Sequence, residues 1–235
     1  MNYPSSRRRP GSRFFNILDA GLRRHDECLC LLFAFTTLLF SIQATAQDTL
    51  TTVLERVRVQ ETRHFNYRET RTLQLLAEPW QASGDMYTSP QQMVIAQQAP
   101  TPVFTLISAE RMQHIDAGKD LNRSLKLEQP FAVPGMEPFM LLLYGATGLA
   151  ELEQDYAISL DSNGQRWSLQ LAPRQNTADG IVRMQLSGDS SHGPDRLMLE
   201  QADGDQTEWQ LSLLSQGETA GQELQQLLES IRSSP

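Results

Sequence analysis

The sequence predicts a mainly antiparallel β protein with a few short helices. Three observations carry that prediction. Short runs in which apolar and polar residues alternate recur along most of the chain after residue 64, as half-buried strands require. Prolines and glycines cut these runs at short intervals. Asn163-Gly164 then supplies the strongest two-residue hairpin signal a sequence can carry. No internal repeat, low-complexity block or linker divides the region, so the pattern reads as one sheet with helices on one side.

Ahead of this region stands a segment that reads as an export signal. Arg7, Arg8, Arg9, Arg13, Arg23 and Arg24 precede an apolar run from Cys28 to Ile42. That run falls short of the about 20 apolar residues that span a bilayer. It is followed by Ala44-Thr45-Ala46, a small-x-small cleavage pattern. Cleavage is expected after Ala46, which makes residues 1–46 a secretory signal peptide and 47–235 a single domain beginning at Gln47. An uncleaved anchor with a cytoplasmic tail is the competing reading, prompted by the long basic region and by Asp26 and Glu27 inside it. His25-Asp26-Glu27 after the arginine pair disfavours twin-arginine export. Glu27 and Leu29, standing before Cys28 and Cys30, disfavour lipidation.

Both cysteines precede the cleavage site. The exported chain would therefore have no disulfide, thiolate metal site or cysteine nucleophile. Of 20 basic and 28 acidic residues, six arginines and three acids also precede it, leaving 14 against 25 and a net charge of −11. Such acidity excludes nucleic acid as an expected partner and disfavours firm adsorption to anionic membrane leaflets. It suits a soluble periplasmic monomer.

Taken in order, Leu50, Val53, Leu54 and Val57 recur at helical spacing and predict a short helix over Leu50–Val59. Phe65 to Leu73 reads as a strand, with Phe65, Tyr67, Glu69 and Arg71 on one face, apolar at one end and polar at the rim. Pro79, Gly84, Pro90, Pro100 and Pro102 then punctuate short segments around Gly84–Thr88, Met93–Gln97 and Val103–Ile115, the spacing of a meander. Pro130, Pro134 and Pro138 break the β pattern. They introduce Phe139-Met140-Leu141-Leu142-Leu143-Tyr144, predicted as an apolar helix from Glu137, with a second helical turn over Leu149–Asp155. Phe139, Met140, Leu142 and Leu143 cannot share one narrow stripe, so some are expected against the sheet and others facing a cavity or solvent. A plain core helix is the competing reading. Hairpins follow at Ala157–Asp161 with Arg166–Leu171, and at Arg196–Glu200 with Trp209–Leu211 across Asp203-Gly204-Asp205. Leu224, Leu227, Leu228 and Ile231 mark a last helix between Gly221 and Ser233, expected against the sheet.

Reactive constellations are sparse. His64, His114 and His192 stand in no triad-like motif, and His192 reads as part of a surface loop. Glu151 and Asp155, at i and i+4, are the spacing of a solvated helix face. Asp203-Gly204-Asp205 lacks the acidic ladder and terminal glutamate of an EF-hand. No enzyme activity, cofactor or metal is expected.

Several of these residues resemble a known family. Tyr67-Arg68-Glu69 followed by Gly84-Asp85-Met86-Tyr87-Thr88-Ser89-Pro90 is similar to the aromatic-x-Gln/Glu and Gly-Asp-Leu-aromatic runs near the start of LolA-type carriers of outer-membrane lipoproteins. Glu137-Pro138-Phe139-Met140-Leu141-Leu142-Leu143 resembles their Pro-Phe-apolar helix, and Leu199 to Leu211 their late hairpin. The wider pattern Phe65…Glu69…Arg71…Leu75-Leu76…Pro79…Gly84 resembles a divergent LolA-like branch.

The resemblance implies an incomplete, strongly curved antiparallel β-barrel with a helical lid, whose concave apolar face receives acyl chains. It implies a periplasmic carrier of a lipidated protein or lipid-like cargo, working with inner- and outer-membrane transfer partners. The residues it assigns to the cavity and lid are Phe65, Tyr67, Met86, Phe139, Met140, Leu142 and Leu143. In the lipoprotein carriers an arginine stands directly before the proline at the strand end and latches the lid. Ser89 occupies that latch position here, a departure that bears on the cargo. A non-enzymatic β-rich envelope interaction or sensing module without internal cargo is the alternative, separated from the carrier by whether the interior holds lipid or side chains.

Overall fold

Two meanders of strands are joined into one sheet by a pairing between the first strand and the last. The computed structural model describes residues 49–133, 135–145, 149–175 and 180–233. The segment read as an export signal and its cleavage site lie outside the described residues, as do Pro134 and the side chain of Glu151. The first meander comprises β1 (Arg63–Thr72), β2 (Trp80–Ser89), β3 (Gln92–Ala99), β4 (Val103–Ser108), β5 (Arg111–Asp116) and β6 (Leu121–Lys126). The second comprises β7 (Tyr156–Ser162), β8 (Arg166–Pro173), β9 (Ile181–Asp189), β10 (Gly193–Gln201) and β11 (Gln206–Gln216). β1 pairs antiparallel with β11, which places Phe65 beside Leu213, Tyr67 beside Leu211 and Glu69 beside Trp209. The result is an 11-stranded sheet in the order β6-β5-β4-β3-β2-β1-β11-β10-β9-β8-β7.

The sheet does not close, because β6 and β7 end it on opposite sides, but it is strongly curved. Met112 and His114 of β5 and Trp209 of β11 line one recess of about 230 Å³. At the ~4.8 Å spacing of neighbouring strands, a flat sheet would hold these five-strand-distant residues about 24 Å apart. The fold is thus the mainly β, incomplete antiparallel barrel expected.

Among the described residues four α-helices complete it: α1 (Leu50–Val57), α2 (Glu137–Tyr144), α3 (Leu149–Asp155) and α4 (Glu218–Ser233). Thr49 caps α1, its side chain accepting from the Thr52 N–H, while Val53, Leu54 and Val57 are buried. Pro138 stands in the first turn of α2, where its missing N–H costs nothing. The chain leaves β6 at one edge and re-enters at β7 on the other, and the crossing carries α2 and α3. α1 and α2 share a core with Phe65, Tyr67, Met86 and Met93 on the concave face.

The expectation of helices on one side is corrected here. α4 packs on the opposite, convex face, where Leu224 and Leu228 meet Tyr87 and Val94. Successive residues of a strand point to opposite faces, so Met86 enters one core and its neighbour Tyr87 the other. That is why the end of β2 is buried continuously from Met86 to Ser89. Two further differences concern strands. The segment Val103–Ile115 is two strands folded about Ala109-Glu110, and β6 and β9 were not read from the sequence. β6 is polar and almost wholly exposed, and so lacks an apolar face to announce it. β9 does alternate, with Met184 and Leu186 buried between more exposed Arg183, Gln185 and Ser187.

Candidate functional site

The concave face is ordered in rows that run across the strands. In one row, Phe65, Met86 and Ile95 lie in register with Thr105 and His114, and beyond it Arg63, Thr88, Met93, Ile107 and Met112 form another. On the opposite side of the Phe65 row, the next holds Tyr67 with Gly84, Gln97 and Val103. Glu69 follows, between Ala82 and Trp209. The alternation that places Phe65, Tyr67, Glu69 and Arg71 on one face of β1 therefore builds a surface that grades from apolar to polar.

All seven residues assigned to cavity and lid lie in one core. Phe139, Met140, Leu142 and Leu143 are each no more than 5% exposed. The Val59 N–H, just past the end of α1, donates to the Leu143 carbonyl at 3.0 Å and ties the two helices together. Phe139 and Leu143, with Phe65, Met86, Val57 and Leu211, leave a void of only about 20 Å³ beneath α2. The space under the helix is thus filled by side chains.

Open volume lies beside it. The recess of about 230 Å³ is walled by Tyr67, Ile95, Ile107 and Met112, roofed by Val133 and Met136 of the segment entering α2, and ended by Glu69, Arg71 and Trp209. Met112 and His114 also border a second, more open recess of about 480 Å³ that reaches Leu121 and Leu125 on the unpaired strand β6. The apolar alternation of Met93–Gln97 and Val103–Ile115 marked these residues as strand. Nothing in it showed that they face a recess.

The most deeply buried polar groups of the recess lie at one end, while Gln97, Thr105 and His114 add polar groups along its β3–β5 wall. Glu69 is 3% exposed, and Arg71 Nε donates to its Oε1 at 2.6 Å. The Arg71 guanidinium lies over the Trp80 ring, 4.8 Å from its centre. Burial, with the Glu69 carboxylate second, pushes the Tyr67 phenol well above the usual tyrosine range, so it stays neutral. Trp209 touches Tyr67 on one side, with ring centres 6.0 Å apart, and meets Phe139 edge-on at 6.2 Å. It connects the polar end to the helix. Its buried indole N–H has no hydrogen-bond partner among the described residues. His114 Nδ1 lies 3.3 Å from Thr105 Oγ1.

Ser89 is buried at the β2–β3 turn, where its hydroxyl donates to the Gln92 carbonyl and accepts from the Gln92 N–H. Its backbone faces the hydroxyl of Tyr144, the last residue of α2, without a well-aligned bond. Burial raises the Tyr144 phenol far above its usual range. The ring stacks on Phe131 at 4.0 Å. Ser89 thus lies beside the end of α2.

Two clusters elsewhere bring histidine to acid. Ser191, His192 and Asp189 meet in the β9–β10 turn, but Ser191 Oγ and Asp189 Oδ1 both approach the same Nδ1, at 2.8 and 3.3 Å. A serine triad divides those partners between the two ring nitrogens. Asp189 also accepts from the Ser191 backbone N–H at 2.7 Å. The Ser191 hydroxyl, which also donates to Asp189, then that N–H and His192 lower its carboxyl to about 2, and the arrangement is that of a turn. On the convex face, His64 stacks on Tyr87 at 4.1 Å, and its Nδ1 lies 2.8 Å from Glu223 Oε2 of α4. Ser215 donates to the same oxygen at 2.6 Å. His64 Nε2 lies 3.2 Å from Asp85 without hydrogen-bond alignment. Burial, then Asp85 and Glu223, push the Tyr87 phenol up to about 12. This cluster docks α4.

No family model matches the chain, and no curated protein matches it. Among solved structures it is similar to the LolA superfamily protein NE2245 from Nitrosomonas europaea, at 11% identity and a TM-score of 0.39, covering 72% of this chain and 93% of that one. It is also similar to a DUF1329 family protein from Desulfovibrio piger, at 11% identity and a TM-score of 0.35, over 70% and 92% of the two chains. A domain from Vibrio parahaemolyticus, provisionally assigned to outer membrane lipoprotein sorting, follows at 10% identity and a TM-score of 0.34, over 70% and 90%.

Proposed function

We propose that residues 1–46 direct export and that residues 47–235 form a periplasmic carrier. It holds the acyl part of a lipoprotein or lipid-like molecule against its concave face and moves it between inner and outer membranes without catalysing a reaction. The observation that carries this reading is the recess between Tyr67, Ile107 and Met112. It is roofed by the segment entering α2 and continues past His114 towards an unpaired sheet edge. The family resemblance of the Tyr67–Ser89 and Glu137–Leu143 runs supports it.

Volume sets the mechanism. A cavity of roughly 150 Å³ accommodates benzene, so about 230 Å³ accommodates roughly ten non-hydrogen atoms. A full acyl chain exceeds this recess alone, and enters either by continuing past His114 into the second recess of about 480 Å³ or by displacing α2 and its leading segment. Burial of Phe139, Met140, Leu142 and Leu143 describes the closed form, in which the lid fills its own binding space. The same filled space is what favours the second reading, an envelope interaction module without internal cargo.

Mass spectrometry of protein purified natively from the periplasm distinguishes the two. The carrier predicts an N-terminus at Gln47 and a stoichiometric bound lipid. A lipid-free protein that also fails to take up a fluorescent fatty acid would leave the module, and an intact Met1–Ala46 segment in a membrane fraction would refute export.

A further inference from the structure

The carrier reading leaves the polar end of the recess unexplained, since an acyl chain needs no charge or donor. That end has two features of a built site. Glu69 is a nearly fully buried carboxylate with about four lone-pair positions, of which the Arg71 Nε–H occupies one. Trp209 lines the same recess, is 5% exposed, and has an indole N–H that is buried and unpartnered among the described residues. An unmade bond at a buried donor is costly, and the Trp209 ring lines the recess with its N–H closed to solvent just behind it, so a small shift of the ring offers that donor to an acceptor that is not part of the chain. Burying an unpaired charge costs far more than burying a dipole. Glu69 and Arg71 already compensate each other, so a ligand carboxylate or ammonium would upset that balance. A neutral group that both donates and accepts would complete it.

We propose that the recess is a headgroup subsite for a neutral hydrogen-bonding group, an amide or a hydroxyl, at the end of an aliphatic chain. Glu69 accepts from this group and Trp209 Nε1–H donates to it. The aliphatic part lies along Ile107 and Met112. This rests on the carrier reading and names the chemistry that the site selects. It also ties recognition to the lid: Trp209 contacts Phe139 edge-on, so filling its hydrogen bond bears directly on the helix that covers the face.

The test uses ligands of about the size of the recess on the protein beginning at Gln47. Octanamide, 1-octanol, octanoate, octylammonium and nonane are titrated by calorimetry, and the Trp209 indole ¹H–¹⁵N resonance is followed by NMR. Octanamide and octanol are expected to bind about tenfold more tightly than octanoate and octylammonium. Octanamide should move the indole resonance downfield, and nonane should not. Trp209→Phe, which keeps a ring and deletes the N–H, should weaken octanamide about tenfold, the scale of one hydrogen bond, and leave nonane unchanged. Octanoate binding as tightly as octanamide, an unmoved indole resonance, or equal losses for octanamide and nonane in Trp209→Phe would each overturn the subsite. Co-purified lipid together with any of those results would leave the carrier standing without it. Failure of all five ligands, with no bound lipid, would overturn both.

Discussion

Gly84 shows how much one absent atom decides. A Cβ there would stand 2.1 Å from the Ala96 carbonyl oxygen and 2.9 Å from Gln97 Cα, at the point where the register of β2 on β3 shifts by a bulge. Glycine in a strand interior commonly marks such close backbone approach. Gly84→Ala must push two strands apart in the wall of the recess, and a loss of about 1–3 kcal/mol is expected. A melting curve reads it as a drop of several degrees, and an unaltered melting temperature would show that the bulge absorbs the methyl group. Phe131 is the opposite case, an aromatic residue held at φ 59°, where the left-handed region costs about 1–2 kcal/mol. Its ring stacks on Tyr144, and that contact at the base of α2 offsets part of the strain.

Among the elements, α4 and α2 answer different questions. α4 is docked through Glu223, whose carboxyl is held below the usual glutamate range by the Ser215 hydroxyl and then by His64. A carboxyl depressed in the folded state contributes stability that is present above its ordinary value near 4.5 and lost as pH falls through the folded value. Melting temperature should therefore drop below about pH 4.5, and Glu223→Gln should flatten that part of the profile while lowering stability at pH 7. Asp116, Asp189 and Glu208 are shifted in the same sense, so some acid sensitivity remains in the variant. A profile identical to the parent would exclude Glu223 as the docking charge.

For α2 the question is lid or core. Leu143→Ala removes side-chain contacts against Phe65 and Met86 around the small void, at a cost of about 2–5 kcal/mol if the helix cannot adjust. If α2 is a lid, the variant is expected to stay folded at 25 °C and to take up a fluorescent fatty acid faster, because only the closed form is weakened. A lowered melting temperature with an unaltered uptake rate would make α2 a core helix. Met140→Asp combined with Leu143→Asp is the stronger form, placing carboxylates among acyl chains: a folded protein that still binds the probe normally would defeat the lid.

For the whole molecule, the open sheet raises the problem of its edges. β6 is exposed and carries Arg123 and Lys126, charges of the kind that discourage edge-to-edge pairing. The crossing from β6 to β7 carries α2 and α3, and α2 packs into the concave core. With residues 1–46 removed, as proposed, no disulfide contributes to stability, since both cysteines precede residue 47. The mature protein is expected to melt at the same temperature with and without dithiothreitol, and to give a circular dichroism spectrum dominated by β structure. A shift with reductant would mean that Cys28 and Cys30 are retained and engaged.

Local chemistry was enough for much of this protein. The period of two in Trp167, Leu169 and Leu171, the Asn163-Gly164 turn, and the spacing of Leu224 and Leu228 each fix an element within a few residues of one another, so hairpins and helices were legible in the sequence. The tertiary structure decided the rest, because the rest depends on residues far apart in the chain. The pairing of β1 with β11 joins residues that local patterns cannot relate, and it sets Trp209 beside Glu69. A helix apolar on all sides, like α2, does not reveal which face it covers, and one-sided helices were expected where both faces are used. Glu69 read as part of a polar rim. It is 3% exposed instead, in register between Ala82 and Trp209 and bonded by Arg71, because the environment of a carboxylate is set by what the fold brings around it.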